Sequence, residues 1–272
     1  MKAPQRNILQ KLGFLTRLYF YYQRNYFRTL VEYRMDTWIA IGSGILVLLS
    51  SLVFLDATMH RIPQLMGWSY PQLLFLFGIA ATGRGLNQVF FNAPFFFHGY
   101  IRRGMLDMML VRPVGVLFQM IGTAQEFIGF GSALTGIAII LQAAPHLNVV
   151  WSFGNVAYLC LAIICSMLIQ FAILMIVVIP GFWVLEMRSV IYPVAWLIDF
   201  SRYPMEIYHP LLRGLLTYVL PYALGSFYPA AYLLYPQQYG WALFAVPGTT
   251  IFLLWLTRRF WRFGLNHYSS AT

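Results

Sequence analysis

The chain is short of charge, and shortest of acid. Only 10% of its 272 residues are charged, and eight of them are Asp or Glu. Lysine occurs only at Lys2 and Lys11, so no Gly-x4-Gly-Lys-Ser/Thr loop exists to cradle a nucleotide's phosphates. His-Glu-x-x-His and Gly-x-Ser-x-Gly are absent too, which removes the zinc-protease and serine-hydrolase signatures. The two cysteines, Cys160 and Cys165, lie in one apolar run without His or carboxylate beside them. Their spacing puts them on different helical faces, so they read as packing thiols rather than metal ligands. His60, His98, His146, His209 and His267 are scattered over loops and run ends and read as interfacial polar residues. Nothing here assembles a catalytic site, and the chain is read as a non-enzyme.

Apolar surface is what the chain has in excess. Hydrophobic residues make up 60% of it, and the mean hydropathy is +0.67. A soluble domain of this size lacks the interior to hide so much. The apolar runs are long and do not alternate, which favours helices over a β-barrel, because lipid leaves backbone polar groups no water to bond. The expected fold class is an all-α integral membrane protein. A net charge of +10 would suit nucleic acid, but the basic residues sit at the ends of apolar runs, where membrane orientation places them, so no nucleic-acid partner is expected.

The expected domains are 1–36, 37–257 and 258–272. The first carries an interfacial helix. Ile8, Leu12, Leu15, Tyr19, Tyr22, Tyr26 and Leu30 share one face, while Arg17, Arg24 and Arg28 share another, the pattern of a helix lying at headgroup depth. Six spans follow, at about 37–56, 72–97, 114–142, 150–176, 189–203 and 239–257. Most Lys and Arg fall before the first span, in the loop with Arg102, Arg103 and Arg112, or in the tail with Arg258, Arg259 and Arg262. That bias puts both termini in the cytoplasm. Prolines break the stretch 204–235 between spans five and six, so it is read as short re-entrant helices in the outer leaflet.

Three constellations stand out. Arg84 and Glu126 lie roughly 18–20 Å deep on adjacent antiparallel spans at 1.5 Å per residue, and are expected to pair, either lining a path or fixing the helices. Gly129, Ala133, Ser132 and Gly136 give small-x3-small spacing, read as internal helix packing. The segment 99–113 is a basic, amphipathic stretch too short for a domain. Arg102, Arg103 and Asp107 are expected on one side of a short surface helix, with Ile101, Met105, Leu106, Met109 and Leu110 supplying an apolar surface for a partner protein.

The sequence resembles a bacterial type-2 ABC exporter permease over nearly its whole length. The resemblance is carried by Glu32-Tyr33-Arg34-Met35-Asp36, by Arg102-Arg103-Gly104-Met105-Leu106-Asp107-Met108-Met109-Leu110-Val111-Arg112-Pro113, by the Arg202-Tyr203-Pro204 stretch with Pro221 and Pro229, and by Tyr268-Ser269-Ser270-Ala271. Met105 departs from the pattern, where an acidic residue is common.

The resemblance implies a transmembrane subunit paired with a second permease copy or a related permease. Separate ATP-binding cassette ATPases would supply ATP and Mg, this chain holding no cofactor. Arg102, Arg103, Gly104, Leu106, Asp107, Leu110, Arg112 and Pro113 would form the coupling helix, braced by the N-terminal helix. Arg202, Pro204, Pro210 and Pro221 would belong to an outer gate. The location implied is the bacterial cytoplasmic (inner) membrane, with lipid around it. An ATP-independent six-helix channel or secondary transporter is the alternative, but spans one to three and four to six share no motif.

Overall fold

A computed structural model describes residues 8–60, 64–184 and 186–268. Lys2, Arg6, Arg61 and Ser269 to Ala271 of the tail motif lie outside them. The described residues are helical and contain no strand beyond an isolated bridge between Leu65 and Trp68.

Helix α1 (Ile8–Glu32) leads almost directly into α2 (Arg34–Met59). Tyr33 bends the junction, and the Thr37 hydroxyl donates across it to the Leu30 and Tyr33 carbonyls at 3.2 and 3.0 Å. Then come α3 (Tyr70–Phe90), α4 (Ala93–Arg102), α5 (Met105–Leu110), α6 (Val116–Thr123) and α7 (Ile128–Ala143). Helix α8 (Phe153–Val178) starts at Ser152, whose hydroxyl accepts from the Asn155 amide. Short pieces follow: α9 (Arg188–Trp196), a 3-10 turn at Leu197–Arg202, α10 (Pro210–Gly214), α11 (Phe227–Leu234) and α12 (Pro236–Tyr239). The long α13 (Ala242–Asn266) closes the fold.

Among the described residues, four helical stretches are long and apolar enough to cross a membrane: Arg34–Met59, Tyr70–Arg102, Ile128–His146 and Phe153–Phe182. The expected second and third spans are not continuous helices. The second breaks at Phe91–Asn92, where Pro94 in the first turn of α4 has no N–H to extend the ladder of α3. The third breaks at 124–127, because the Glu126 amide bonds the Gln88 carbonyl at 3.2 Å instead of its own helix. The expected fifth span, 189–203, is α9 plus the 3-10 turn, too short to be among the four. The sixth, 239–257, starts at the end of α12 and continues in α13, which runs on past Arg258, Arg259 and Arg262.

Glycines set how closely α3 and α7 approach. A β-carbon on Gly85 would meet the Ala133 amide nitrogen at 2.4 Å, and one on Gly129 would meet the Gly85 carbonyl at 2.5 Å. Gly136 lies as tightly against Thr82. The small-residue stripe is thus internal packing between the second and third spans, where van der Waals contact supplies the association that lipid cannot. On the other side of α7, Gly131 abuts the Ile41 carbonyl and Gly44 abuts the Ile128 carbonyl, joining α2 to α7. Leu48, Leu55 and Met59 of α2 join the core, while its Trp38, Leu46, Val53 and Phe54 are exposed.

Two apolar cores result. One surrounds Phe75, Leu76, Tyr222 and Phe227 and covers the broken stretch between the 3-10 turn and α13. The other surrounds Phe97, Leu106, Met120, Met175 and Trp261 at the opposite end. Cys160 is exposed and Cys165 buried, and both are free thiols.

Candidate functional site

The segment 99–113 is a helical hairpin, not one surface helix. Helix α4 ends at Arg102, Gly104 takes the left-handed conformation (φ +63°), and α5 starts at Met105. Arg102 and Asp107 therefore lie on different helices, and the expectation that they share a side of one helix does not hold. The hairpin has its own clasp: the Gln119 side-chain amide, buried on α6, donates to the Met109 and Val114 carbonyls at 2.9 and 2.8 Å. Tyr100 and Thr123 hydroxyls, 2.9 Å apart, tie α4 to α6.

The apolar residues divide in a way the sequence did not indicate. Ile101, Leu106 and Met109 are buried, Leu106 completely, against a bed that includes Phe97, Met120 and Trp261. Leu106 therefore cannot itself touch a partner; it holds the hairpin down. The surface left outside is Arg102, Arg103, Met108, Leu110, Val111, Arg112 and Pro113, all exposed, with Val111 at 85%. It is basic and apolar at once, and Asp107 is half-buried at its edge.

Aromatic rings connect this module to both ends of the chain. The rings of Phe97, Phe182 and Trp261 pack at 5.0–5.9 Å, and Tyr268 meets Phe182 at 5.7 Å. Tyr19 and Tyr22 of α1 pack on Phe118 of α6, and Tyr26 stacks on Phe127 at 4.6 Å. Gly122 allows this, since a β-carbon there would meet the Tyr22 ring at 2.6 Å. Arg17, Arg24 and Arg28 are exposed on the far face of α1.

The expected Arg84–Glu126 pair does not form. Arg84 of α3 is ion-paired with Asp199, which also holds Arg202 at 2.8 Å, and the Arg202 guanidinium lies over the Phe77 ring at 5.3 Å. Glu126 instead faces Asn92 and Tyr26, one turn along at the level where both α3 and the third span break. Burial first, and then the charge of Glu126, push the Tyr26 phenol above its ordinary range. The interruption at 124–127 defeats a depth count that assumes an unbroken helix. Asp199 and Arg202, three residues apart, were legible as neighbours; Arg84 is 115 residues from its partner, and nothing local signals it.

Beside Arg84 lies a cavity of about 40 Å³ lined by Asn87, Gln170 and Tyr222 among others. The Asn87 side chain donates to the Met167 carbonyl at 2.9 Å and Gln170 to the Ser166 hydroxyl at 3.3 Å. The buried Tyr222 hydroxyl has no hydrogen-bond partner among the described residues. Of the other expected gate residues, Pro204 and Pro221 are buried and Pro210 is exposed at the start of α10. Glu206 accepts from the Tyr239 hydroxyl at 2.8 Å rather than joining the arginines.

The family described as ABC-2 family transporter protein matches residues 45–272. The chain belongs to this family. It is a membrane permease of the ABC-transporter class. No curated protein and no solved structure matches the permease. Among its described residues no group of His, Cys, Asp and Glu is placed to hold a metal ion.

Proposed function

We propose that the permease is the transmembrane subunit of an ATP-driven exporter in a bacterial inner membrane, with six spans, both termini in the cytoplasm, and a second permease copy across the translocation path. The hairpin α4–α5 is the seat for the ATP-binding cassette ATPase. The observation that carries this reading is the hairpin's division of labour. Its inner residues are locked into a core shared with α8 and α13, while Arg102, Arg103, Met108, Leu110, Val111 and Arg112 are left uncovered. Apolar residues kept exposed beside arginines on an otherwise well-packed element suit a protein groove.

The breaks support a way of passing motion. Helices α4, α5 and α6 form a clasped unit that follows α3 at the interruption 91–92, leads into α7 at 124–127, and packs on α8 and α13 through the shared core. ATP-driven closure of the ATPases moves such a unit as a rigid body, and the spans follow at the two breaks, a hinge-type two-state switch. The outer helices between 204 and 235, with Arg202, Pro204, Pro210 and Pro221, then gate the exit.

The test is a pull-down of the tagged chain in mild detergent with mass-spectrometric identification of partners. Val111→Asp is the diagnostic variant, since Val111 packs on almost nothing and its loss leaves the fold alone. An ATP-binding cassette ATPase recovered with the wild type and lost with Val111→Asp supports the reading. No ATPase even after cross-linking of the hairpin, or one whose retention ignores Val111→Asp, Arg103→Glu and Leu110→Asp together, sinks it.

A further inference from the structure

Two arginines, Arg84 and Arg202, share one carboxylate, that of Asp199. Asp199 neutralises one guanidinium of Arg84 and Arg202 and leaves the other uncompensated. Glu206, the nearest other carboxylate along the chain, is engaged by Tyr239. An unbalanced guanidinium at membrane depth is costly unless something anionic answers it. The cluster is also reachable: the Asp199 side chain is 42% exposed and that of Arg84 27%.

What it faces is a pair of joined clefts. One, of about 370 Å³, lies between the α2 residues Ser50, Ser51 and Phe54 and the Asp199–Arg202–Tyr203 edge. The next, of about 360 Å³, shares Phe54, Asp199 and Tyr203 and continues along Leu65, Ile207 and Tyr208. Each is in the range of about 300–1,000 Å³ typical of small-molecule sites. The first is polar at the ion cluster, and the second is apolar except at that same end. Behind Arg84, the cavity of about 40 Å³ has room for water but not for a headgroup. It also holds the unpartnered hydroxyl of Tyr222, a second donor on the same side as the excess positive charge.

We propose that this is the binding site for an amphiphile with a phosphate-bearing headgroup. The phosphate sits on Arg202, which lines the first cleft, in place of part of Asp199's hold; Arg84, on the small cavity's side of Asp199, adds positive charge from behind, and the tail follows the apolar cleft past Phe54, Ile207 and Tyr208. The planar guanidinium fork suits phosphate oxygens better than a point charge would. Asp199 acts as an internal competitor that keeps the empty site paired and yields when the headgroup arrives. As a binding site this stands on the geometry; as the cargo of an exporter it rests on the function proposed above.

The experiment is native mass spectrometry of the full chain with phosphatidylglycerol, with diacylglycerol of the same acyl chains, and with inorganic phosphate as competitor, each variant's melting temperature being checked first. Phosphatidylglycerol is expected to bind about tenfold more tightly than the phosphate-free diacylglycerol, the worth of one charge-assisted hydrogen bond. Asp199→Asn removes the competitor and raises that affinity; Arg202→Gln lowers it. Phe54→Ser, at an exposed position, lowers lipid affinity without changing the weak binding of phosphate. Equal binding of the two lipids overturns the proposal. So does a loss of phosphatidylglycerol in Asp199→Asn, which marks a purely structural cluster, and so does displacement of the lipid by equimolar phosphate, which marks a free-anion subsite. If Arg202→Gln does not fold, the sign of the Asp199→Asn effect still decides. The measurement needs no ATPase, so its failure leaves the exporter reading standing, and the absence of an ATPase leaves the lipid result standing.

Discussion

Gly104 turns the hairpin at φ +63°, where a side chain with a β-carbon costs about 1–2 kcal/mol and asparagine costs least. Gly104→Val is therefore expected to lower the melting temperature of the purified permease while Gly104→Asn leaves it nearly unchanged. Two residues later the contrast is between inside and outside. Leu106 is fully buried, and Leu106→Ala is expected to cost about 2–5 kcal/mol through the cavity it leaves. Val111 is 85% exposed, and Val111→Ala is expected to stay within about 0.5 kcal/mol. Denaturation midpoints of the two variants check both. The residue types of the hairpin were legible in the sequence, but not which apolar ones point inward. A six-residue helix after a left-handed turn has no periodicity to read, and only Phe97, Met120 and Trp261 closing over it decide its orientation.

Between elements, the α3–α7 contact is the most extensive among the described residues, and glycine lets the two helices approach closely. Gly85→Leu places carbon atoms where the Ala133 and Gly129 backbones already are. It is expected to abolish the monodisperse peak in size-exclusion chromatography. Gly99→Ala and Gly42→Ala meet nothing within 4 Å and are expected to elute as the wild type does. The stripe of small residues on α7 was visible as a spacing, and its use in internal packing agrees with the general behaviour of such stripes. The helix interruptions were not visible. Pro94 hints at the first, but 124–127 contains no proline or glycine, and the chain leaves the helix there because Gln88 of a neighbouring element offers the Glu126 amide a better-placed carbonyl. Gln119→Leu, which keeps the volume but removes both clasp bonds, is expected to destabilise by about 1–3 kcal/mol, since it leaves the Met109 and Val114 carbonyls unpaired.

For the whole molecule, topology is the quantity to measure. In the proposed six-span arrangement, which puts both termini and the hairpin in the cytoplasm, single cysteines placed at Arg102 and Arg258 in a chain lacking Cys160 and Cys165 are expected to resist a membrane-impermeant maleimide in intact cells. One at Gln238, exposed on α12, is expected to react. Labelling at Arg258 and not at Arg102 would leave an odd number of crossings between them and break the six-span arrangement. The four stretches apolar enough to cross were written in composition alone. The crossings assigned to α9 and α13 depend on packing, because a short proline-bearing helix and an arginine-ended one carry no unambiguous hydropathy signal.

Composition by itself determined that this chain is helical and lives in lipid, since so much apolar surface has no aqueous solution, and the distribution of arginine set its expected orientation. The motif around 102–113 marked the segment that folds as the α4–α5 hairpin, the proposed seat of the ATPase. Which charges meet was decided only in three dimensions. Arg84 finds Asp199 across 115 residues of chain, and Glu126 is carried away from it by a helix break. Pairings of that kind are set by how helices stack and where they bend, and a one-dimensional count of depth carries neither.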